Sequence, residues 1–146
     1  MVQPATAVNT SSVVNGLYLG FMYEPAAGLA GLPVTQMVAF GCSGSSCSSP
    51  PSPTSLLGGV FPTDDPSTPA NTDTTITLGG QDPQVNGLYR GATVTIPDFF
   101  AVCSTTGTCT FPAVAVVGNP EGKFAIFLIA QDIVNSSPMV MILYQQ

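Results

Sequence analysis

The sequence predicts an all-β protein of about eight antiparallel strands, closed as a barrel or packed as a β-sandwich. Short apolar or alternating runs recur along the 146 residues, and none of them has helical spacing. The 15 Gly and 14 Pro residues lie mostly between these runs, where turns are expected. The pentapeptide Val-Asn-Gly-Leu-Tyr occupies residues 14–18 and again 85–89, which indicates a weak internal duplication.

The first half of the predicted domain covers about residues 13–80 and follows a polar segment, 1–12, that we interpret as an extended N-terminal arm. Its strands are expected in the apolar or alternating stretches 13–23, 34–41, 56–61 and 74–78. The Ser- and Pro-rich stretch 42–53 is predicted to be a turn followed by a loop of polyproline type. Loops are also expected at 25–33 and 62–72.

The second half covers about residues 81–146, and with the first it makes a single β domain, 13–146. Its strands are expected in the stretches 85–96, 99–103, 109–117, 124–130 and 139–144. Pro112 favours an edge position or a bulge, because proline has no N–H to donate to a neighbouring strand. An apolar strand so near the C-terminus needs a partner, so it either closes a barrel or pairs with another copy.

Composition limits the kinds of partner. The chain has two basic and eight acidic residues, a net charge of −6, and 7% charged residues where soluble chains usually carry about 25%. Hydrophobic residues make up 45% and the mean hydropathy is +0.38, so part of the surface is expected to be apolar and to favour self-association. Two bases form no patch for nucleic acid. The longest apolar run, 124–130, is too short to span a membrane as a helix.

Four cysteines without any histidine or tryptophan favour an oxidising compartment, and we expect an extracellular or cell-surface protein. The cysteines form two closely spaced pairs at predicted hairpin tips, Cys42 with Cys47 and Cys103 with Cys109. Three connectivities are open, and local pairing within each pair is favoured. Each such disulfide would stabilise the fold by about 2 kcal/mol. The spacing is not that of a zinc site.

Candidate chemistry is sparse. The absence of histidine removes Ser-His-Asp and Cys-His catalysis, which leaves carboxylate pairs among Glu24, Asp64, Asp65 and Asp73. The three aspartates lie in a predicted loop, so we expect no enzyme activity and no cofactor. Asp64, Asp65 and Asp73 are candidate Ca²⁺ ligands, although their spacing is not that of an EF-hand. Asn9 and Asn135 stand in glycosylation sequons.

Short motifs in both halves resemble a known group of proteins. They comprise Asn-Gly-Leu-Tyr-Leu-Gly-Phe at 15–21, Gly-Leu-Tyr at 87–89, Gly-Ala-Thr-Val-Thr at 91–95, and the stretches 111–117, 123–127 and 142–146. The pattern is similar to that of uncharacterised secreted β-domains common in soil acidobacteria. The resemblance implies a small lipocalin-like barrel, and it implies no activity and no site residues. The cysteine pairs and the Pro-rich stretch 48–53 depart from the pattern.

These observations lead to three functional hypotheses. The first is a non-enzymatic structural subunit of a filament, sheath or shell, which associates with copies of itself through β-strands or its arm. The second is a barrel that binds a small apolar ligand in a cavity lined by residues such as Phe21, Phe124 and Phe127. The third is an adhesion or carbohydrate-binding module that uses the aspartate loop. The aromatic residues of the strands are otherwise expected to pack in the core.

Overall fold

A computed structural model describes residues 15–25, 34–48, 74–97, 108–132 and 137–146. In these ranges each strand is antiparallel to the next, and the last pairs with the first, so that the eight strands close a barrel. Of the two predicted architectures, the barrel is therefore the one formed. The strands are β1 (Gly16–Glu24), β2 (Val34–Ser43), β3 (Ser46–Ser48), β4 (Thr75–Thr77), β5 (Leu88–Pro97), β6 (Thr108–Gly118), β7 (Ala125–Asp132) and β8 (Ser137–Gln145).

The two ends of the barrel carry different connections. At one end lie the turns β2–β3, β4–β5 and β6–β7 together with Asn15 and Gln146, and we call this the terminal end. At the other, the distal end, the connections β1–β2, β3–β4, β5–β6 and β7–β8 consist mostly of residues outside the described ranges. The predicted arm 1–12 and the predicted strands 56–61 and 99–103 also lie outside the described residues.

Alternation along the strands, broken at the register shift in β5, separates the barrel interior from its outer surface. In β6, for example, every second residue from Cys109 to Val117 is buried, and the residues between them are mainly exposed. An eight-stranded barrel is just wide enough for side chains to fill it, and large ones contribute about 1.5–3 kcal/mol each when fully buried. The largest side chains buried here are Tyr18, Phe40, Ile76, Leu78, Tyr89, Phe111, Ile126, Leu128, Met139, Met141 and Leu143.

The repeated pentapeptide opens the first strand of each four-stranded half of the barrel. In both copies the glycine has a positive φ, 132° at Gly16 and 78° at Gly87, and the tyrosine two residues later is buried inside. A Cβ atom on Gly87 would lie 2.3 Å from the Val117 carbonyl oxygen, so only glycine fits there. Both copies of the repeat thus lead into a strand and place a tyrosine, Tyr18 or Tyr89, in the core.

The two cysteine pairs do not occupy equivalent positions in the two halves of the barrel. Cys42 and Cys47 are joined by a disulfide across the β2–β3 hairpin at the terminal end, as local pairing predicted. Cys109 is also disulfide-bonded, but it begins β6 at the distal end. Its predicted partner, Cys103, lies outside the described residues.

Two strands, β3 and β5, differ most from the prediction. Ser46–Ser48 forms β3 inside the stretch expected to be a turn and loop, because the hairpin and its disulfide align these residues with β2. β5 begins at Leu88 rather than at residue 85. The reason is an Asx turn, in which the Asp82 Oδ1 atom accepts hydrogen bonds from the backbone N–H of Gln84 (2.8 Å) and Val85 (3.0 Å).

The position of Pro112 follows from strand pairing. It pairs with Thr93 of β5, and the described pairing between β6 and β7 starts one residue later, at Ala113. A register shift between Tyr89 and Ala92 lies close by in β5. Pro112, which has no N–H to donate, therefore lies where the hydrogen-bonded pairing with β7 has ended, as the edge or bulge prediction requires.

The C-terminal strand, β8, closes the barrel by pairing with β1.

Candidate functional site

The most distinctive surface of the molecule is an apolar area on the outside of five consecutive strands, β2, β1, β8, β7 and β6. Nine large hydrophobic side chains on these strands are between 38% and 55% exposed. We call this surface the apolar belt, and it consists of Phe21, Tyr23, Met37, Val114, Val116, Phe127, Ile129, Ile142 and Tyr144. Exposed apolar patches of this kind mark interaction sites in soluble proteins.

Strand register makes the belt continuous. Its central row crosses all five strands, since each side chain is directly opposite the next in the order Met37, Phe21, Ile142, Phe127, Val116. Residues opposite each other on one face of a sheet have Cβ atoms about 4.5–5.5 Å apart, so their side chains are in contact range. Ile142 stands at the centre of the row and is 54% exposed.

Two parallel rows flank the central one. The row towards the distal end runs through Thr35, Tyr23, Val140, Ile129 and Val114. The row towards the terminal end runs through Ala39, Leu19, Tyr144, Ala125 and Gly118. None of the residues in the three rows carries a charge. Side chains of this face therefore offer shape and hydrophobicity, and no ion pairs, for recognition.

The opposite side of the barrel has a different outer surface. The outward positions of β3, β4 and β5 there carry small hydroxyl side chains, Ser46, Ser48, Thr75, Thr77, Thr93 and Thr95. Thr95 and Thr110 share a hydrogen bond between their Oγ1 atoms (3.0 Å). We call this surface the hydroxyl face. The barrel is thus two-sided, with an apolar belt on one flank and a row of hydroxyl side chains on the other.

The ion pair between Arg90 and Asp82 lies outside the five strands of the belt. Arg90 Nε donates a hydrogen bond to Asp82 Oδ2 (2.6 Å) beside the β4–β5 turn. This bond, together with the backbone N–H groups of Gln84 and Val85, holds the pKa of Asp82 below its usual value. The ion pair is exposed and fixes the turn, and no second carboxylate faces Asp82 in the described part of the turn to form a catalytic pair.

Two tyrosines occupy the barrel interior. Burial raises the pKa of Tyr18 to about 12, and it raises the pKa of Tyr89 as well, because the apolar surroundings disfavour the phenolate. The Tyr89 hydroxyl donates a long hydrogen bond to Gln81 Oε1 (3.5 Å). Both side chains lie in the core, each on the first strand of one half of the barrel.

One interior polar group is unsatisfied. Thr74 is fully buried and shares the inward orientation of Ile76 and Leu78, and its Oγ1 atom has no hydrogen-bond partner among the described residues.

The methionines Met22 and Met141 are directly opposite each other inside the barrel, on the neighbouring strands β1 and β8. Methionine side chains are flexible and adapt to the shape of an apolar molecule.

Several predicted site residues take other positions. Phe21 and Phe127, which the sequence placed in a ligand cavity, point outwards, with 55% and 42% of their surface exposed, and Tyr23 is exposed as well. Strand alternation is the reason, since their neighbours Met22 and Leu128 point inwards. Phe124 is half-buried and packs against the core.

Other predicted sites cannot be located, because they lie outside the described residues. These are the candidate Ca²⁺ ligands Asp64, Asp65 and Asp73 and the candidate glycosylation sites Asn9 and Asn135. Within the described ranges, no group of three or more His, Cys, Asp or Glu residues could hold a metal ion.

The belt was not identified from the sequence, although its signal was present. The run at 124–130 is continuously apolar, a pattern typical of a strand buried on both faces or of a barrel wall. In the barrel, only every second residue of such a run faces the core. The others face outwards, and they form one surface only because the register aligns five strands.

The comparisons with known proteins add no relative. No family model, curated protein or solved structure matches this chain. Among the described residues, no helix has the length and apolar character needed to cross a membrane.

Proposed function

We propose that this protein is a non-enzymatic extracellular structural subunit that associates with copies of itself to build a filament, sheath or shell. The observation that carries the proposal is the apolar belt, an uncharged surface that extends across five strands. Soluble monomers seldom leave such a surface uncovered. The Cys42–Cys47 disulfide supports an oxidising location.

Energetics favour repeated contacts over a single tight one. Complete burial of a large apolar side chain contributes about 1.5–3 kcal/mol, and roughly half of this gain is still open to the half-exposed belt residues. Association of two proteins costs about 4–15 kcal/mol in lost freedom of motion, which offsets most of the gain from one belt. A lasting assembly therefore requires that each subunit makes several contacts, as in a polymer.

The experiment uses the full chain with its disulfides formed. Analytical ultracentrifugation over a range of concentrations, followed by negative-stain electron microscopy, should reveal oligomers and regular polymers. Ile142→Lys places a charge at the centre of the belt and should abolish them. Ser48→Lys, an exposed position on the hydroxyl face, is the matched control and should leave them intact. A wild-type protein that stays monomeric at the highest concentration would contradict the proposal, as would equal loss in the two variants.

A second function, the binding of a small apolar molecule inside the barrel, is favoured by one observation. The buried Thr74 hydroxyl lacks a partner among the described residues, and a ligand with a neutral polar group would supply one. The test is binding of a neutral long-chain alcohol, measured by calorimetry. Thr74→Val should weaken binding at least fivefold while the free protein keeps or gains stability. Absence of binding to the wild-type protein would exclude this function for that ligand class.

A further inference from the structure

We infer that the barrel interior binds one uncharged, single-chain amphiphile, with its polar group at Thr74 and its hydrocarbon chain along a recess in the inner wall. This inference rests on the proposed binding of a small apolar molecule inside the barrel, and it names the class and the position of that molecule. Apart from the phenols of Tyr18 and Tyr89, Thr74 supplies the one polar side chain that is buried in the described part of the barrel. Its Oγ1 atom has no partner there, so a single polar group on the ligand would satisfy it.

The recess is formed by three alanines that lie directly opposite one another on neighbouring strands. Ala92 of β5 is opposite Ala113 of β6, and Ala113 is opposite Ala130 of β7. All three side chains are buried and point into the barrel. The interior of an eight-stranded barrel is either filled by side chains or holds one small ligand, and a row of the smallest side chains on three adjacent strands favours the second case. We call this row the alanine recess.

Flexible side chains border the alanine recess. Met139 of β8 is directly opposite Ala130, and the buried pair Met22 and Met141 lies beside it on β1 and β8. In the ring of eight strands, β8 is four strands from β4 in either direction, so its methionines face Thr74 across the barrel. Methionine side chains adapt to the shape of an apolar molecule. A hydrocarbon chain that starts at Thr74 would therefore meet the recess and these methionines.

The charge of the ligand follows from the basic residues. The whole chain has two of them, Arg90 and Lys123, and both are exposed. An anionic head group inside the barrel would therefore be buried without a cationic partner, which is strongly unfavourable. The pKa values of Tyr18 and Tyr89, which burial raises, agree with an interior that disfavours negative charge. We therefore expect alcohols to bind, and carboxylates of the same length to be excluded.

Selectivity for charge tests the ligand class without any substitution. Calorimetry on the full chain with its disulfides formed, at neutral pH, should show that n-octanol binds and that octanoate binds at least tenfold more weakly. Equal affinities for the two probes would overturn the inference while leaving the binding of apolar molecules intact. Binding of neither probe would contradict both the inference and the function on which it rests.

Filling the alanine recess tests the position of the ligand. Ala113→Leu should weaken n-octanol binding at least tenfold and should leave the midpoint of thermal unfolding unchanged or higher, because the new side chain takes the place of the ligand. Ala115→Leu, two residues further along β6, is the matched control. Ala115 is directly opposite Tyr89 and Leu128, so a larger side chain has no room there and should lower the midpoint.

Two results with these variants would overturn the inference. If Ala113→Leu lowered the midpoint as much as Ala115→Leu, the space at the recess would be filled already. If a folded Ala113→Leu variant bound n-octanol as tightly as the wild type, the alcohol would bind elsewhere, for example on the apolar belt.

Discussion

Gln145 holds the start of the first strand to the end of the last, because its Nε2 atom donates a hydrogen bond to the Asn15 carbonyl oxygen (2.9 Å). The Oε1 atom of the same side chain accepts a hydrogen bond from the Phe124 N–H (3.0 Å). One side chain thus joins the entry to β1, the end of β8 and the β6–β7 turn. The seam where the barrel closes is fixed by side-chain as well as backbone hydrogen bonds.

Removal of this side chain should weaken the closure. Gln145→Ala loses two hydrogen bonds and should lower the free energy of unfolding by about 1–3 kcal/mol, measured by urea denaturation. Gln146→Ala is the control, because the exposed Gln146 side chain bonds within the described residues to the nearby Tyr144 carbonyl alone. It should change stability by less than about 0.5 kcal/mol. Equal effects of the two changes would show that the Gln145 contacts contribute nothing.

The turn that enters β5 should be intolerant of any side chain at Gly87. A Cβ atom there would meet the Val117 carbonyl oxygen at 2.3 Å, and the backbone has a positive φ of 78°. Gly87→Ala should therefore destabilise the protein by more than about 2 kcal/mol, from strain and loss of the Val117–Gly87 hydrogen bond. Gly80→Ala, at an open and exposed position, should be nearly neutral in the same thermal unfolding assay.

Acid should weaken the β4–β5 turn through Asp82. The pKa of its carboxyl group is lowered in the folded protein, first by the hydrogen bond from Arg90. The group therefore contributes stability above its unfolded pKa of about 3.9, and this contribution is lost as the pH falls through the lower, folded pKa. Asp82→Asn keeps the Oδ1 acceptor of the turn but removes the charge. The free energy of unfolding, measured from pH 2 to 7, should be higher for the wild type than for the variant at neutral pH. The two values should become equal in acid. A constant difference would argue against the ion pair.

Alkali should act through Tyr18, whose pKa is raised to about 12 by burial. A raised pKa means that the folded state binds the Tyr18 proton more tightly than the unfolded state does. The resulting stabilisation of the folded protein is complete below the unfolded pKa of about 10, and it is lost between about pH 10 and pH 12. Tyr18→Phe removes this dependence. The loss of stability of the wild type over that range should be steeper than that of the variant. Coincident curves would show that the Tyr18 phenol ionises as readily when folded as when unfolded.

The sequence indicated where the strands lie better than which strands pair with each other. The stretches 74–78, 109–117, 124–130 and 139–144 lie at or within two residues of β4, β6, β7 and β8. β3 was missed because Ser, Gly and Cys have little strand preference, and its pairing comes from the hairpin and the disulfide. Closure was undecided because a barrel and a sandwich share the same alternation. It depends on pairs such as Phe21 with Ile142, which are distant in sequence.

The candidate site was harder to predict than the fold, for a physical reason. Whether Phe21 or its neighbour Met22 faces the core depends on the strand's phase, and both are apolar. An all-apolar run therefore does not reveal its outer residues. Where polar residues alternate with apolar ones, as in β4, the phase was clear from the sequence and the inward position of Ile76 follows directly.

Asn15 and Gln146 lie at the same end of the barrel, and the apolar belt lies on its side. Anything attached to the barrel through either residue is therefore held at one pole and leaves the flank free. Barrels anchored next to one another in this way on a common support would stand upright with their belts facing sideways. Crowding on the support would raise the local concentration of belts, so that contacts between belts too weak to persist in solution could form there.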